Sequence, residues 1–506
     1  MAPGSRPRVW GPSLSTLWGL LAWLTVPLAV LLSIRPVEEA DVYWHIRMGA
    51  DILENGRFGG DPAWTYGPAV DWVTTQAGSE VALQALYDAG SWSAVLALRL
   101  LLAALLAVSI LMAATTVVRT RNRLQVDRAV AIVGGLAVLA MVPFMQERPQ
   151  TLSLILIPWL GVVALRVMYA DRWPRWWVVG IVVMVWCWFH GAGTLVGPLL
   201  AGAALIHALG AAGLHWLPVL LRSLRRGWPV IVAALVAPMI GPAGWAYYGQ
   251  VVRIQEAASE WILEWQPPDA NNPIVWVALV VVGVWGLALV RLAAASGRVW
   301  RTFRMDMMVV VALVALMTSA GRYLAVVILL LTPLVTRRLA QAWMRPAVRV
   351  ERVRPRTSIV VLVLAAVPII GVSALAVASV RPVGEDKPLA VWEAMAELGG
   401  DRRVLVDYAL GGQAGLLGGV TVSIDGRTDR YGAEVIDANR NLVAGRPGWE
   451  ETLARYPGTT DVVVASDAGV LQQFLDRGWQ EACVDGSYTW LTAPGVTGGC
   501  PSESAD

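Results

Sequence analysis

Long apolar runs separated by short polar segments dominate the first 380 residues. A helix that crosses a membrane needs about 20 mostly apolar residues, and eleven runs approach this length. They lie at 16–34, 92–117, 129–145, 151–169, 176–190, 192–212, 228–247, 273–293, 307–320, 322–336 and 358–380. The pattern predicts a polytopic α-helical membrane protein with about 11 transmembrane helices, the first of them an uncleaved anchor.

The pattern changes after Pro388, where short strand-like runs alternate with helical ones. We predict helices at 389–398, 432–440, 448–456 and 467–477, and strands at 403–408, 420–425, 461–466 and 488–491. Such alternation is typical of a small α/β domain. The sequence therefore predicts a transmembrane domain at 1–380 and an α/β domain at 381–506. The GGQAG run at 411–415 lacks the spacing of a nucleotide-binding loop.

Basic residues predict the topology, because short cytoplasmic loops are enriched in arginine and lysine. Arginines recur in every second loop, at 6–8, 119–128, 172–175, 222–226, 291–304 and 337–356. This places the N-terminus in the cytoplasm and the first loop, 35–91, outside. With an odd number of spans, the C-terminal domain is also extracytoplasmic. Arginine-rich, lysine-poor usage is typical of a bacterium with GC-rich DNA, so we expect the membrane to be a bacterial cell membrane.

Composition agrees with a membrane protein, since 56% of the 506 residues are hydrophobic and only 15% are charged. Soluble domains carry about 25% charged residues. Cys483 and Cys500 lie in the last 25 residues, without the spacing of a zinc site. We expect a Cys483–Cys500 disulfide if this domain meets an oxidising compartment; two unpaired thiols are the alternative.

The first external loop is the most polar stretch of the first third of the chain. We predict helices at 43–55 and 74–90. Asp41 lies seven residues after the first apolar run, close to the headgroup layer, with His45 four residues on. Asp41 could act as a general base toward a hydroxyl or help to hold a divalent cation, and His45 could donate to a phosphate. The alternative is that both residues merely end a surface helix.

Other charged residues are predicted beside span ends on the outer face. Arg148 and Glu264 could bind or orient a phosphate, or pair with neighbouring charges at the surface. Arg322, where two short spans meet, needs an anionic partner, either a side chain or a lipid phosphate. His190 ends a span and is an interface residue or a substrate contact. We expect Arg99 to reach toward the membrane interface.

The run DVYWHIRMGADILENGRFGGDPAWTYGPAVDW resembles the first loop of bacterial membrane glycosyltransferases of the GT-C superfamily. Similar pieces follow in order, namely ERPQ, FHG, GPAGW, EWQPP, GRYL and IDGRTDRYG. The resemblance covers nearly the whole chain. It implies an inverting enzyme that transfers a sugar from a polyprenyl-phosphate donor to an acceptor outside the membrane.

The resemblance assigns Asp41 as the catalytic base, and Asp61 and Glu80 compete for the place of a second acid. Trp44 and His45 belong to the matched motif as substrate contacts. Arg148 and Arg322 are candidates to stabilise the leaving phosphate, with His190 and Glu264 as further substrate-binding residues. Asp425 and Arg427 serve either the fold of the C-terminal domain or acceptor binding.

No cofactor is certain, and a divalent cation, Mg²⁺ or Mn²⁺, stays an alternative with unknown ligands. The expected partners are the lipid-linked donor, membrane lipid, and a glycan, lipid or protein acceptor of the cell envelope, but no nucleic acid. Two other functions stay open: a transporter or flippase of lipid-linked sugars, and a non-catalytic envelope assembly factor.

Overall fold

A computed structural model describes residues 11–60, 62–118, 122–295, 300–343, 353–380 and 387–500. Contacts divide the chain into two compact units. The first comprises Met1–Arg35, Ala97–Ile240 and Leu263–Ala378, and the second comprises Pro36–Leu96, Gly241–Ile262 and Ser379–Asp506. The first long loop and the C-terminal segment therefore fold together, although most of the chain lies between them.

Helices make up nearly all regular structure before residue 380. In chain order they are α1 (Leu17–Leu32), α2 (Ala40–Asn55), α3 (Ala77–Thr116), α4 (Arg123–Ala129), α5 (Gly135–Met141), α6 (Gln150–Ala170), α7 (Trp176–Phe189), α8 (Val196–Ala212), α9 (Trp216–Val236), α10 (Tyr247–Trp261), α11 (Pro273–Ala295), α12 (Trp300–Ser319), α13 (Tyr323–Ala342) and α14 (Pro355–Ala378). The backbone of α3 leaves helical geometry at Gly90 and Ser91, where the two predicted segments meet.

Seven helical segments among the described residues are long and apolar enough to cross a membrane. They are Ala77–Thr116, Arg123–Phe144, Gln150–Ala170, Gly191–Met239, Pro273–Ala294, Tyr323–Ala342 and Pro355–Ala378. Two further apolar helices, Leu17–Leu32 and Trp176–Phe189, are shorter. The polytopic helical class is thus seen, whereas the expected count of about 11 spans is not confirmed.

Three predicted features of this region differ in detail. The expected span at 228–247 ends by Met239, and a short non-helical stretch that contains Gly241 and Pro242 follows it. The arginines at 222–226, expected in a loop, lie inside α9, whose sequence is amphipathic. The run at 307–320 belongs to α12, which begins with polar residues that include Arg304 and Asp306.

The surface of α14 shows what surrounds the first unit. Leu364, Ile370 and Leu375 are each more than 60% exposed, and the most apolar window of the helix has no buried residue. A soluble protein rarely leaves so large an apolar face uncovered. Lipid hydrocarbon is the medium that such a face fits.

The C-terminal segment forms a five-stranded sheet with helices on both faces. The elements are α15 (Leu389–Leu398), β1 (Arg403–Val406), α16 (Gly411–Leu417), β2 (Thr421–Val422), α17 (Thr428–Val443), α18 (Trp449–Leu453), β3 (Asp461–Ala465), α19 (Leu471–Leu475), β4 (Gln480–Asp485) and β5 (Tyr488–Thr492). The strand order is β2-β1-β3-β5-β4. Strands β1, β2 and β3 are parallel, and β5 runs antiparallel to β3 and β4. The predicted α/β class is seen, but α16 and β4 were not predicted.

Alternating residues of β1 build a core on each face of the sheet, as a strand requires. Val404 and Val406 pack in one cluster with Trp392 and Trp490. Leu405 belongs to a second cluster with Phe474. Both faces are covered, which suits the continuous apolar runs of β1 and β3.

The first long loop completes this sheet within the second unit. Thr65 bridges to Val422 in parallel orientation, the Tyr66 amide donates to the Val422 carbonyl at 3.1 Å, and the Val422 amide donates to the Trp64 carbonyl at 2.9 Å. The Trp64 side chain joins the same core cluster as Trp392. The loop therefore covers the β2 edge, which would otherwise expose unpaired backbone groups.

At the opposite edge, Cys483 of β4 forms a disulfide with Cys500. The expected pairing is confirmed. The bond fixes the last described residues to the outermost strand. The third cysteine, Cys187, is buried and forms no disulfide.

Candidate active site

Asp41 lies in the first turn of α2, where a carboxylate is favoured by the helix dipole. Glu39 caps the helix by accepting a hydrogen bond from the Asp41 amide. The Trp44 indole donates to Asp41 Oδ1 at 3.1 Å, which fixes the direction of the carboxylate. Asp41 is half-buried.

A turn of the C-terminal segment passes beside this carboxylate. A Cβ added to Gly426 would lie 2.9 Å from Asp41 Oδ1 and 2.7 Å from Trp44 Nε1. The backbone at residue 426 can therefore approach α2 because no side chain intervenes. The Tyr408 hydroxyl donates to the Gly426 carbonyl at 2.8 Å. Burial, and secondly the negative charge of Asp41, raise the pKa of Tyr408, which keeps this phenol neutral.

Helix α16 also approaches α2 closely. A Cβ on Gly412 would lie 3.1 Å from the Trp44 amide nitrogen, and one on Gly411 would lie only 1.7 Å from the Ile424 carbonyl oxygen. The GGQAG run is thus a packing motif, with small residues that let two helices and a loop meet at backbone distance.

His45 and Glu80 form a buried pair behind Asp41. The His45 ring stacks on the Trp44 indole with centroids 3.6 Å apart, and its Nδ1 lies 3.8 Å from Glu80 Oε1. Glu80 has no exposed surface and accepts a hydrogen bond of 2.8 Å from Thr74. Gly49 of α2 permits this packing, because a Cβ there would lie 2.2 Å from the Glu80 carbonyl oxygen.

Asp425 and Arg427 form a fully buried ion pair close by. The Arg427 guanidinium donates to both carboxylate oxygens of Asp425, at 2.9 and 2.6 Å, and Tyr431 donates to Asp425 at 2.8 Å. Burial opposes ionisation of Asp425, but the charge and hydrogen bonds of Arg427 hold its pKa below the ordinary value. Such a pair is costly to break, because the remaining charge would stay buried.

Two indoles from the first loop enclose that guanidinium. The Arg427 guanidinium carbon lies 4.4 Å from the centroid of the Trp64 ring and 5.1 Å from that of Trp72. Cation–π attraction is strongest for tryptophan and for desolvated cations. Arg427 thus connects the loop to the C-terminal sheet inside the second unit. From the sequence alone, Asp425 and Arg427 could serve either the fold of the C-terminal domain or the binding of the acceptor.

Asp429 is a buried acid that the sequence did not single out. The Trp72 indole donates to Asp429 Oδ2 at 2.7 Å. Burial raises the pKa of Asp429 to about 6; the charge of Glu80 acts in the same direction, while the Trp72 bond and the charge of Arg427 oppose it. The sequence signal for this residue is the run of charged residues in IDGRTDRYG. Such a run normally indicates a solvent-exposed turn.

Asp61, the other candidate second acid, lies outside the described residues. Among the described residues, no three His, Cys, Asp or Glu side chains are close enough to share a metal ion. The described chain thus provides no ligand set to which a divalent cation can be assigned.

The first unit brings together three other predicted site residues. Arg148 forms an ion pair with Glu264 at 3.0 Å. The Arg322 amide donates to the Glu264 carbonyl at 2.8 Å, and its guanidinium stacks on Trp265 at 3.9 Å from the ring centroid. Among the described residues, no carboxylate oxygen lies within ion-pair distance of the Arg322 guanidinium.

His190 and Arg99 take structural positions in the same unit. His190 Nδ1 accepts from the Ala192 amide at 3.2 Å and contacts Ser153 Oγ at 2.7 Å, which places a ring proton on Nε2. Arg99 pairs with Glu147 at 3.0 Å, and both side chains are buried. Arg99 is thus neutralised by a buried carboxylate, and its expected approach to the membrane interface stays a prediction.

Solved structures with a similar fold include two oligosaccharyltransferase structures. The oligosaccharyltransferase AglB from Archaeoglobus fulgidus, in complex with an inhibitory peptide and a dolichol-phosphate, has a TM-score of 0.53 and 12% identity over 93% of this chain and 74% of that chain. The Archaeoglobus fulgidus oligosaccharyltransferase tethered to an acceptor peptide gives 0.51 and 12% over 87% and 68%. Arabinofuranosyltransferase AftD from Mycobacteria gives 0.48 and 16%, and is matched over 40% of its length.

These similarities confirm the resemblance to the GT-C superfamily at the level of the fold. At 12% identity they carry no information on substrate. No protein-family model matches the sequence, and no curated protein matches it.

Proposed function

We propose that the protein is a membrane glycosyltransferase that moves a sugar from a polyprenyl-phosphate donor to a hydroxyl-bearing acceptor, with Asp41 as the general base. The observation that carries this proposal is the half-buried Asp41 carboxylate, aimed by Trp44 at the first turn of α2 and eight residues after Ser33, the cap of α1. The similar AglB structure holds a dolichol-phosphate, which is a polyprenyl phosphate.

The proposed reaction is a direct displacement at the anomeric carbon. Asp41 accepts the proton of an acceptor hydroxyl, and the acceptor oxygen forms the new bond to the anomeric carbon. The bond between that carbon and the phosphate oxygen breaks, and the phosphate leaves with the electron pair. Attack from the face opposite to the phosphate inverts the configuration. A general base of this kind contributes about 10²–10⁴-fold to a rate.

Cationic side chains of the first unit are assigned to the phosphate. A leaving phosphate gains negative charge, which positioned guanidinium groups stabilise. Arg322 has an aromatic platform at Trp265 and no carboxylate of the described chain at ion-pair distance, whereas Arg148 is neutralised in part by Glu264. We therefore assign the larger part of the phosphate stabilisation to Arg322 and an orienting role to Glu264. His190, which ends α7, is assigned to hold that helix end in place.

The buried groups of the second unit are assigned positioning roles. Glu80 has no exposed surface, so it is proposed to hold His45, and through it Trp44, without contacting the acceptor. The enzyme would work at the outer face of a bacterial cell membrane. The Cys483–Cys500 disulfide supports that location, since disulfides persist outside the cytosol.

The decisive experiment replaces Asp41 by asparagine, which keeps an oxygen for the Trp44 indole but removes the base. Membranes containing the Asp41→Asn protein, supplied with radiolabelled polyprenyl-phosphate sugar, should transfer label at least about 100-fold more slowly than the wild type.

The matched control is Glu54→Gln, which alters an exposed acid on the same helix and should leave transfer unchanged. Unchanged transfer by the Asp41→Asn protein, at equal expression and thermal stability, would remove the assigned base. Loss of transfer in both variants would show that α2 tolerates no change and would also count against the specific role of Asp41.

A further inference from the structure

A cleft of about 570 Å³ lies in the C-terminal sheet domain, at the carboxyl ends of β1 and β3. Asp407 directly follows β1, and Asp467 follows β3 by two residues. Chain connections leave β1 for β2 on one side and return to β3 on the other. In open α/β sheets, ligands bind outside the carboxyl ends of the strands where the order reverses in this way.

The far wall of the cleft comes from the end of α17 and the loop that follows it. Asp437 and Arg440 are three residues apart, so they lie on the same helical face. Arg446 comes from the loop, while Ala444, Ala465 and other small residues line the base. The small side chains leave the interior of the cleft unfilled, and the charged side chains line its walls.

Backbone contacts hold the two walls at a fixed separation. A Cβ on Gly469 would lie 2.3 Å from the Ala444 carbonyl oxygen, so these two loops meet directly. The Gln473 amide donates to the Gly445 carbonyl at 3.1 Å, and the Asn439 amide donates to the Val406 carbonyl at 3.1 Å. A preformed cleft loses less freedom when a ligand binds.

The charges of the cleft select a class of ligand. Within the described chain, no cation lies at ion-pair distance from Asp437 or Asp467, and no three acidic or His side chains are close enough to hold a metal. Three carboxylates against two guanidinium groups disfavour a phosphate or other anion. Carboxylates accept hydrogen bonds from hydroxyls, and guanidinium groups donate to hydroxyl and ring oxygens.

We propose that this cleft binds a neutral, hydroxyl-rich oligosaccharide, which serves as a docking site for the glycan that accepts the transferred sugar. The role as acceptor rests on the proposed transferase function, but oligosaccharide binding itself does not. The cleft is a binding site, distinct from Asp41 in residues and in chemistry.

Binding is measured on the full-length protein in detergent, by calorimetry and saturation-transfer NMR, with no lipid donor present. The probes are mannotetraose, galactotetraose and a tetrasaccharide of arabinofuranose. At least one should bind saturably, and Asp467→Asn and Arg446→Gln should each weaken that binding at least about tenfold, since each removes a hydrogen bond to a charged group. Both side chains are exposed, so thermal stability should not change.

The matched control is Asp401→Asn, an exposed acid that precedes β1 and lies at the opposite end of that strand; it should bind like the wild type. The proposal is overturned if no probe binds saturably, if both cleft variants bind normally, or if inorganic phosphate binds and neutral sugars do not compete. Because the assay contains no donor, failure of Asp41→Asn to stop transfer would refute the catalytic proposal and leave this result untouched.

Discussion

The side chain of Asp429 makes the free energy of unfolding depend on pH. Its folded-state pKa, about 6, lies above its ordinary value of 3.8 because burial disfavours the carboxylate. A raised carboxyl pKa contributes stability that is full below about pH 4 and is lost as the pH rises through about 6. This group alone should lower the free energy of unfolding by on the order of 3 kcal/mol between pH 4 and pH 7.

The Asp429→Asn variant should therefore lose less stability than the wild type over that interval. Asparagine stays neutral and can still accept the Trp72 hydrogen bond. Thermal unfolding of the purified protein between pH 4 and pH 7.5 measures the difference, with Glu434→Gln, an exposed acid on the same helix, as control. An equal fall in all three proteins would mean that Asp429 does not titrate in this range.

At the scale of residues, the sequence indicated which polar side chains were candidates for the site, but it did not predict which charged side chains are buried. Asp41 and His45 could be singled out because they follow an apolar run at a fixed spacing. Arg427 and Asp429 could not be recognised as buried, since a run of charges is normally solvated and their partners Trp64 and Trp72 are more than 350 residues away. Burial of a charge depends on long-range packing, which no local pattern contains.

At the scale of elements, the contact between α2 and the turn at Gly426 sets the position of the base. We expect Gly426→Ala to slow sugar transfer about 100-fold, because the new methyl would displace Asp41 or Trp44, and a misplacement of about 1 Å costs that much. The effect should fall on kcat, measured in the same radiolabel assay.

Gly249→Ala is the matched control, since Gly249 lies in α10 with open space around it; that variant should transfer normally. The Gly426→Ala protein should retain its thermal transition within a few degrees, which separates displacement from unfolding. Wild-type kcat in that protein would refute the argument that close packing at residue 426 positions Asp41.

Elements with strong periodicity were predictable and those with weak patterns were not. The helix at 389–398 and the strands β1 and β3 carry long apolar patterns and were found near their predicted bounds. Helix α16 consists largely of glycine and small residues, which have low helix propensity, and it is stabilised by packing. Strand β4 lies at an edge with exposed residues, so it has little apolar pattern to read.

At the scale of the whole molecule, the proposed orientation can be tested by labelling. In a background where the buried Cys187 is replaced by serine, Asp476→Cys and Arg172→Cys each introduce one exposed thiol. A membrane-impermeant maleimide should label the Asp476→Cys protein in intact cells and the Arg172→Cys protein only after lysis. The reverse result would invert the topology and place the C-terminal domain in the cytoplasm.

The bond between Trp72 and Asp429 joins residues 357 positions apart. Ribosomes add about 5–20 residues per second, so on the order of 20 to 70 s pass between the synthesis of one partner and that of the other. Through that interval α2 and its loop lack the sheet that covers Trp64 and the Arg427 guanidinium that Trp64 and Trp72 enclose. The surroundings of Asp41 are therefore incomplete while the chain is being made, and a chain that stops before residue 425 would have its membrane helices without the turn that packs against Asp41.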